Sequence, residues 1–410
     1  MNKYVTFNEA LKLIQQTKIN ELGIEKIFIN QSVGRILYND IRAKDNMPKF
    51  DTSNMDGYAF CYDDLEILKN SGLTIDSINK AGNEFKCEVK KGFCIKTFTG
   101  SKMPENADSL VIVEQVKVVD NKIFLKQNEN VEKAKWIRKK GENYKKNDIL
   151  LHKGTHISPF DIGILAQNNN VFVEVYRQPK VAILTSGDEI LEIGEIPNND
   201  NYIYSSNNHI LNAIVSSLGC IGSIYPILKD SNTTIKNALK DALKQNDVVI
   251  TTGGMSKGDF DFTKNIIGEF GSSIFESVQI KPGKVISYIN CNADKHIIAL
   301  PGNPISCVVS FLLFGRLIIA KMLGVTPTIP IHKAKLINDI KDIDTSRMEF
   351  ALADLYLRDG KYEVELKPNR QSYMINNING AMILIDKKPI KKDNLVDIIL
   401  LDELIKLKGL

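Results

Sequence analysis

The sequence is poor in the residues that usually build metal centres. It has five histidines and one tryptophan, and its six cysteines (Cys61, Cys87, Cys94, Cys220, Cys291, Cys307) include no CxxC pair. Structural zinc sites need clustered Cys and His spacings, and disulfide frameworks belong to small secreted chains, so neither organises this protein and the thiols are expected to be reduced and structural. His152 and His156 stand four apart, as two ligands on one helix face would, but the intervening KGT and the following Pro159 predict a loop. A dominant charge is also missing. Lys plus Arg number 53 against 49 Asp plus Glu, the net charge is +4, and the basic residues are scattered, which argues against a nucleic-acid partner. The longest apolar stretch, 305–323, is interrupted by Ser306, Ser310, Arg316 and Lys321 and follows a Gly/Pro loop, so it reads as a buried helix and not a membrane span. The opening MNKYVTFNEALKLIQQ has no apolar signal core, and a cytoplasmic location is expected.

What is present is an ordinary globular composition, 43% hydrophobic and 25% charged over 410 residues, which is too long for one core and implies several domains. Residues 5–17 carry apolar residues at helical spacing behind Thr6, with Glu9 three positions on, the pattern of a capping box. From about 46 to 144 short β-rich pieces alternate with Gly, Pro, Asn and Asp, predicting a mainly β domain. Between about 178 and 325, runs such as VAILT, DVVITT and HIIAL alternate with helical patterns, predicting a doubly wound α/β domain with a mostly parallel sheet. After 327 alternating segments return and predict a small β-barrel or sandwich.

The α/β segment carries the chemistry. Three strand-like runs end in loops of small and acidic residues: Thr185 to Glu189, then TTGGMSKGDFD, then PGNP. Ligands of open α/β sheets bind at the carboxyl ends of the strands, which predicts that the three loops line one crevice. Gly253 and Gly254 allow a tight turn with bared N–H groups that suit an anion, and Asp259 and Asp261 can hold a hard cation against it; the alternative is a turn whose acids only cap a helix. Asn303 and Pro304 fit the N-cap and first position of a helix, either a second anion site or a plain cap. In KPGK, Lys281 and Lys284 flank a rigid turn and can neutralise an anion or decorate the surface. Asp188 and Glu189 either complete a metal shell or open a helix.

Six strings in order, NMDGYAF at 54–60, TGSKMPENADSLVIVEQ at 99–115, TSGDEIL at 185–191, TTGGMSKGDFD at 251–261, KPGK at 281–284 and LPGNPIS at 300–306, resemble the molybdopterin molybdenumtransferase family, called MoeA in bacteria and the E domain of gephyrin in animals. The motifs within 178–325 also fit a molybdopterin adenylyltransferase; MDGYA and TGxxxP do not.

The resemblance implies an α/β multidomain chain: domain I from 1–45 and 145–177, an inserted mainly β domain II at 46–144, an α/β molybdopterin-binding domain III at 178–326, and a C-terminal small β-barrel domain IV at 327–410. It implies a homodimer, a separate adenylyltransferase as substrate donor, Mg2+, and a reaction that inserts molybdate into adenylylated molybdopterin with release of AMP. Carried over by position, the catalytic candidates are Asp56, Thr99, Glu189, Asp259, Lys281 and Lys284, and the metal candidates Glu189, Asp259, Asp261 and Glu142. The binding candidates are Ser186, Gly187, Ser206, Asn207, Gly253, Gly254, Ser256, Pro301, Gly302, Asn303 and Ser306. Three positions depart from the pattern: Asn106 stands for a Gly, Asn143 for the second acid of GED, which leaves Glu142 to carry that role, and Val285 for a Pro. Arg347 and Ser372 match only loosely, with Gln371 where a Gly is usual.

Overall fold

The computed structural model describes residues 4–82, 87–253, 266–326, 328–341, 346–366, 380–385 and 389–406. The chain packs as two compact units, one of residues 1–39, 153–162 and 171–410 and one of residues 40–152 and 163–170.

The larger unit begins with the expected capped helix, Phe7–Gln16: the Glu9 N–H donates to Thr6 Oγ1 at 3.3 Å and the Thr6 N–H to Glu9 Oε2 at 2.8 Å. Its Phe7, Ala10 and Ile14 are buried. Phe7 meets Phe314 of the core helix with ring centroids 5.9 Å apart and Phe350 of the C-terminal sheet at 4.9 Å, joining three elements far apart in sequence. Burying such a side chain stabilises the fold by about 1.5–3 kcal/mol.

The α/β sheet has six strands in the spatial order Ile221–Ile224, Lys180–Thr185, Val248–Thr252, Lys295–Leu300, Ser287–Asn292 and Ser272–Phe275. The first four run parallel, Ser287–Asn292 pairs antiparallel to the fourth, and Ser272–Phe275 pairs antiparallel to Ser287–Asn292. Helices cover both faces of the central strands, which is why they read as unbroken apolar runs and not as alternating ones. The helix Pro304–Met322 passes a membrane test on length and composition, yet 89% of its most apolar stretch is inside the protein, as the interrupted apolar pattern predicts.

The C-terminal alternating segments form a closed five-stranded barrel. The strand Met348–Arg358 pairs with Lys361–Leu366, that with His332–Leu336, then Leu395–Leu400 and Gly380–Ile385, which returns to Met348–Arg358. Ala334, Leu336, Val364, Ile383 and Ile398 fill it, and closure leaves no free strand edge within that ring.

The smaller unit holds a six-stranded sheet in the order Ser109–Ile112, Gly57–Phe60, Phe93–Thr97, Leu73–Asn79, Lys122–Leu125 and Val116–Val119. Tyr58, Phe60, Leu73, Cys94, Val111 and Ile123 pack on one face of it. Asn106, where relatives are expected to carry glycine, has φ of +63°, and its amide donates to Glu88 at 2.6 Å. Asn is among the residues that accept this left-handed backbone, so the turn survives the exchange.

Candidate functional site

Strand register sets the site in the larger unit. Thr185 pairs with Thr252 and Thr252 with Leu300, so the three central strands end level and their loops leave the sheet side by side. The Ser186 N–H donates to Thr252 O at 3.1 Å, and the Thr185 and Thr252 hydroxyl oxygens are 3.4 Å apart. Gly253 has φ of +91°, and a Cβ on it would lie 2.3 Å from Ser186 O. Only glycine fits there. Gly302 of the third loop approaches Gly253 closely enough that a Cβ would touch its Cα at 3.6 Å.

Two helix starts frame the same place. Asn303 caps the helix after the third loop, accepting from the Ser306 N–H at 3.1 Å and hydroxyl at 3.2 Å, with Pro304 at the first helical position. Asn207 opens the 11-residue helix Asn207–Ser217, and its Nδ2 donates to Gly302 O at 2.7 Å. The Asn207 side chain is buried and its Oδ1 has no partner among the described residues, which leaves an acceptor ready for a ligand donor. Ser206, the N-cap residue, is exposed and makes no capping bond of its own. Ser186, Gly187, Asn207, Gly253, Gly302, Asn303 and Ser306 are thus brought together, with half-buried Pro301 leading in.

An acidic rim lies beside them. Asp188 and Glu189 are exposed, and Asp188 Oδ1 accepts from the Asp230 N–H at 3.3 Å. Burial raises the carboxyl pKa of Asp230; a hydrogen bond with Ser186 opposes the rise, while Asp188 and Glu189 add to it. Its Oδ1 is buried without a partner among the described residues. Gly187, Asp188, Leu191, Tyr202, Tyr225 and Lys229 are among the residues lining an adjoining cleft of about 650 Å³.

The KPGK turn is anchored on both flanks. The strand Ile280–Lys281 adds in parallel to Met348–Arg358, and Lys281 Nζ stands 3.5 Å from the buried carboxylate of Glu349. Lys284 Nζ lies over the Tyr4 ring, 5.2 Å from its centroid. Gly283 has φ of +100° and sits where a Cβ would be 2.2 Å from Ser310 Oγ, so the turn presses directly on the helix that follows the PGNP loop. The loosely matched Arg347 donates to Ile280 O at 3.3 Å and belongs to the same anchor.

In the smaller unit Asp56 Oδ1 accepts from both the N–H of Thr99 at 2.8 Å and its hydroxyl at 2.7 Å. Those two bonds hold the Asp56 carboxyl below its ordinary value, the backbone one being the larger cause. Glu142 is exposed, accepts from the Lys139 N–H at 2.9 Å and faces Arg138 Nε at 3.9 Å. Gly254, Ser256, Asp259, Asp261, Gln371 and Ser372 lie outside the described residues. Among the described residues no three His, Cys, Asp or Glu side chains gather as a metal site.

Sequence reading passed over Asp230, Asn208, Glu192 and Glu349. Asp230 precedes the helix Asn232–Gln245 and resembles an ordinary helix-start acid, and Glu349 sits in EFALADLYL, where it reads as one polar step of a barrel strand. Only the spatial neighbours of each distinguish it from those readings.

The model of the MoeA N-terminal region (domain I and II) matches residues 5–168, and that of a probable molybdopterin binding domain matches 182–321. A molybdopterin molybdenumtransferase of Haemophilus influenzae is 33% identical over 305 residues, 73% of each chain. The chain belongs to the MoeA family. Another relative, the molybdopterin molybdenumtransferase of Staphylococcus epidermidis, is 30% identical and spans 97% of this chain and 95% of its own. The crystal structure of the MoeA protein of Pyrococcus horikoshii OT3 superposes with a TM-score of 0.82 at 29% identity, covering 97% of this chain and 100% of that one. MoeA architecture, multidomain α/β with a closed β-barrel, therefore extends over the whole chain.

Proposed function

We propose that this chain inserts molybdate into adenylylated molybdopterin, with Mg2+-dependent release of AMP, as the closing step of molybdenum cofactor assembly. The observation that carries the reading is the level ending of the three central strands, which gathers Ser186, Gly253 and Gly302 with the free acceptor of Asn207. Relatives over nearly the full length bear the name of this transferase.

The substrates are anionic on both sides, so the site must offset repulsion. The turn at Gly253 and the capped helix start at Asn303 supply oriented N–H groups, and Lys281 and Lys284 supply positive charge near that helix. The orphaned buried oxygen of Asp230, beside Asp188 and Glu189, fits a hard cation that takes oxygen donors. Because the described acids alone form no three-member cluster, Asp259 and Asp261 would complete the Mg2+ shell with Glu189, and Asp230 would add an oxygen donor. When bound, the ion neutralises charge on the pyrophosphate and polarises the bond to be cleaved. The Asn207 amide orients the pterin, and in the proposed homodimer the Thr99-held carboxylate of Asp56 from the other subunit would position the reacting group.

The same proposal includes the four-domain division at 46, 145, 178 and 327, a homodimer, a separate adenylyltransferase that hands over the activated pterin, and a cytoplasmic setting without nucleic acid or membrane as partner. The test incubates the protein with adenylylated molybdopterin, Mg2+ and molybdate, following AMP release and reconstitution of an apo-molybdoenzyme. Both signals, each dependent on molybdate, are expected. AMP without reconstitution would replace the reading with a pterin-nucleotide hydrolase, and neither signal would overturn catalysis altogether.

A further inference from the structure

Between the strand Lys180–Thr185 and the helix Asn207–Ser217 the chain makes a long excursion, and its return is tied down by one carboxylate. Glu192 Oε1 lies 2.8 Å from His209 Nε2, and Glu192 Oε2 accepts from Asn208 Nδ2 at 3.2 Å. Asn208 is fully buried, and its Oδ1 takes the Ser205 hydroxyl at 2.7 Å and the His209 N–H at 2.8 Å. Both polar atoms of that amide are therefore engaged within the loop and the helix start. The Glu192 side chain is one-third exposed, which places the tie at the surface and not in the core.

The excursion is also stitched to itself. Ile190–Leu191 pairs in parallel with Ile203–Tyr204, the Ile203 N–H donates to Glu189 O at 2.9 Å, and the Ser205 N–H donates to Leu191 O at 2.8 Å. Asp188 and Glu189 sit at one end of this stitching, and Ser206 and Asn207 at the other. Glu192 joins the stitched loop to the first turn of the helix, and it lines the cleft of about 650 Å³ beside the acidic rim.

We propose that Glu192, through Asn208 and His209, is a positioning residue that locks the acidic turn and the start of the Asn207–Ser217 helix into one rigid body, so that both ends of the bound substrate are registered together. The Glu192 carboxylate makes these bonds charge-assisted, and the buried Asn208 amide gives the tie a fixed direction. The proposal rests on the transferase reading for its activity test, though the tie itself does not.

The experiment uses the full chain with Glu192→Ala, His209→Ala, the double variant and Glu192→Gln. KM for adenylylated molybdopterin is expected to rise roughly tenfold in either alanine variant with a smaller change in kcat, and the double variant should match the singles, as groups in one network do. Glu192→Gln, which still offers an oxygen to Asn208, should recover part of the loss. Amide hydrogen exchange, which needs no turnover, is expected to quicken across 189–209 in the alanine variants and to stay unchanged in the central strands. Unchanged exchange, or additive effects in the double variant, overturns the tie. Faster exchange in the alanine variants, together with a wild-type chain that releases no AMP, keeps the tie and removes the transferase reading instead.

Discussion

Asp56 and Thr99 are forty-three residues apart, yet one carboxylate oxygen of Asp56 takes both the N–H and the hydroxyl of Thr99, at 2.8 and 2.7 Å. Each bond favours the ionised acid, so the group holds its charge to lower pH than an ordinary aspartate. Thr99→Val removes the hydroxyl bond and leaves the backbone one. The Asp56 carboxyl, followed by NMR titration, should move up toward its ordinary value without reaching it. Turnover at neutral pH should fall by about tenfold or more for Asp56→Ala, in line with the loss of a positioned charged group; a wild-type rate would take Asp56 out of the reaction.

Asp230 provides a second test, because burial and neighbouring acids raise its pKa while one oxygen has no partner among the described residues. With its folded pKa above the unfolded one, this acid costs stability above its ordinary titration range and stops doing so once protonated at lower pH. Asp230→Asn should therefore raise the melting temperature slightly at pH 7 and shift the Mg2+ concentration for half-maximal AMP release upward by about tenfold. A variant more stable and equally responsive to Mg2+ would assign Asp230 to no cation.

His296 controls a stability limb at mildly acidic pH. It is fully buried, Tyr288 Oη lies 3.2 Å from its Nδ1, and burial, only partly opposed by a hydrogen bond with the Ala293 backbone and by Asp294 and Asp247, depresses its pKa to about 4. The unfolded chain takes up this proton below about pH 6.5 and the folded chain refuses it until about 4, so stability is complete above 6.5 and is lost as pH falls through that window. The expected loss at pH 5 is about 2 kcal/mol from this residue. Urea unfolding at pH 7 and 5 should show that slope shrinking in His296→Phe; a slope equal to that of the wild type would place the acid sensitivity elsewhere.

Gly283 makes the KPGK turn possible. An alanine there meets Ser310 Oγ at 2.2 Å in a backbone with φ of +100°, and both effects disfavour it. Gly283→Ala should cost on the order of 2 kcal/mol or more in denaturant unfolding. Adding Ser310→Ala clears the clash and leaves the backbone strain, so partial recovery is expected; full recovery would show that the φ value carries no cost here.

Much of this protein is legible before any coordinates. Thr6 and Glu9 announce the first helix because a capping box is a local device. The strands Lys180–Thr185, Val248–Thr252 and Lys295–Leu300 announce themselves because both faces are covered, and Asn303–Pro304 marks a helix start. The C-terminal segments show strands by alternation but not whether the sheet closes; that depends on Met348–Arg358 having a partner on each side. The Lys281–Glu349 pair and the tie from Glu192 to His209 are also invisible, since each joins residues whose neighbours in sequence give no sign of the contact. The carryover of Asp56, Thr99 and Asn207 came from motif resemblance, and the structure adds the bonds that orient them.

The pairing of Ile280–Lys281 with Met348–Glu349 has a consequence for how such chains can be shortened or recombined. A chain cut after 326 keeps every loop of the α/β sheet, but it strips the lysine turn of its strand neighbour and Lys281 of the carboxylate beside it. The barrel is thus a splint for a turn that precedes it in sequence. Grafting the α/β segment onto another protein carries the level strand ends with it and leaves the lysine turn to be braced anew.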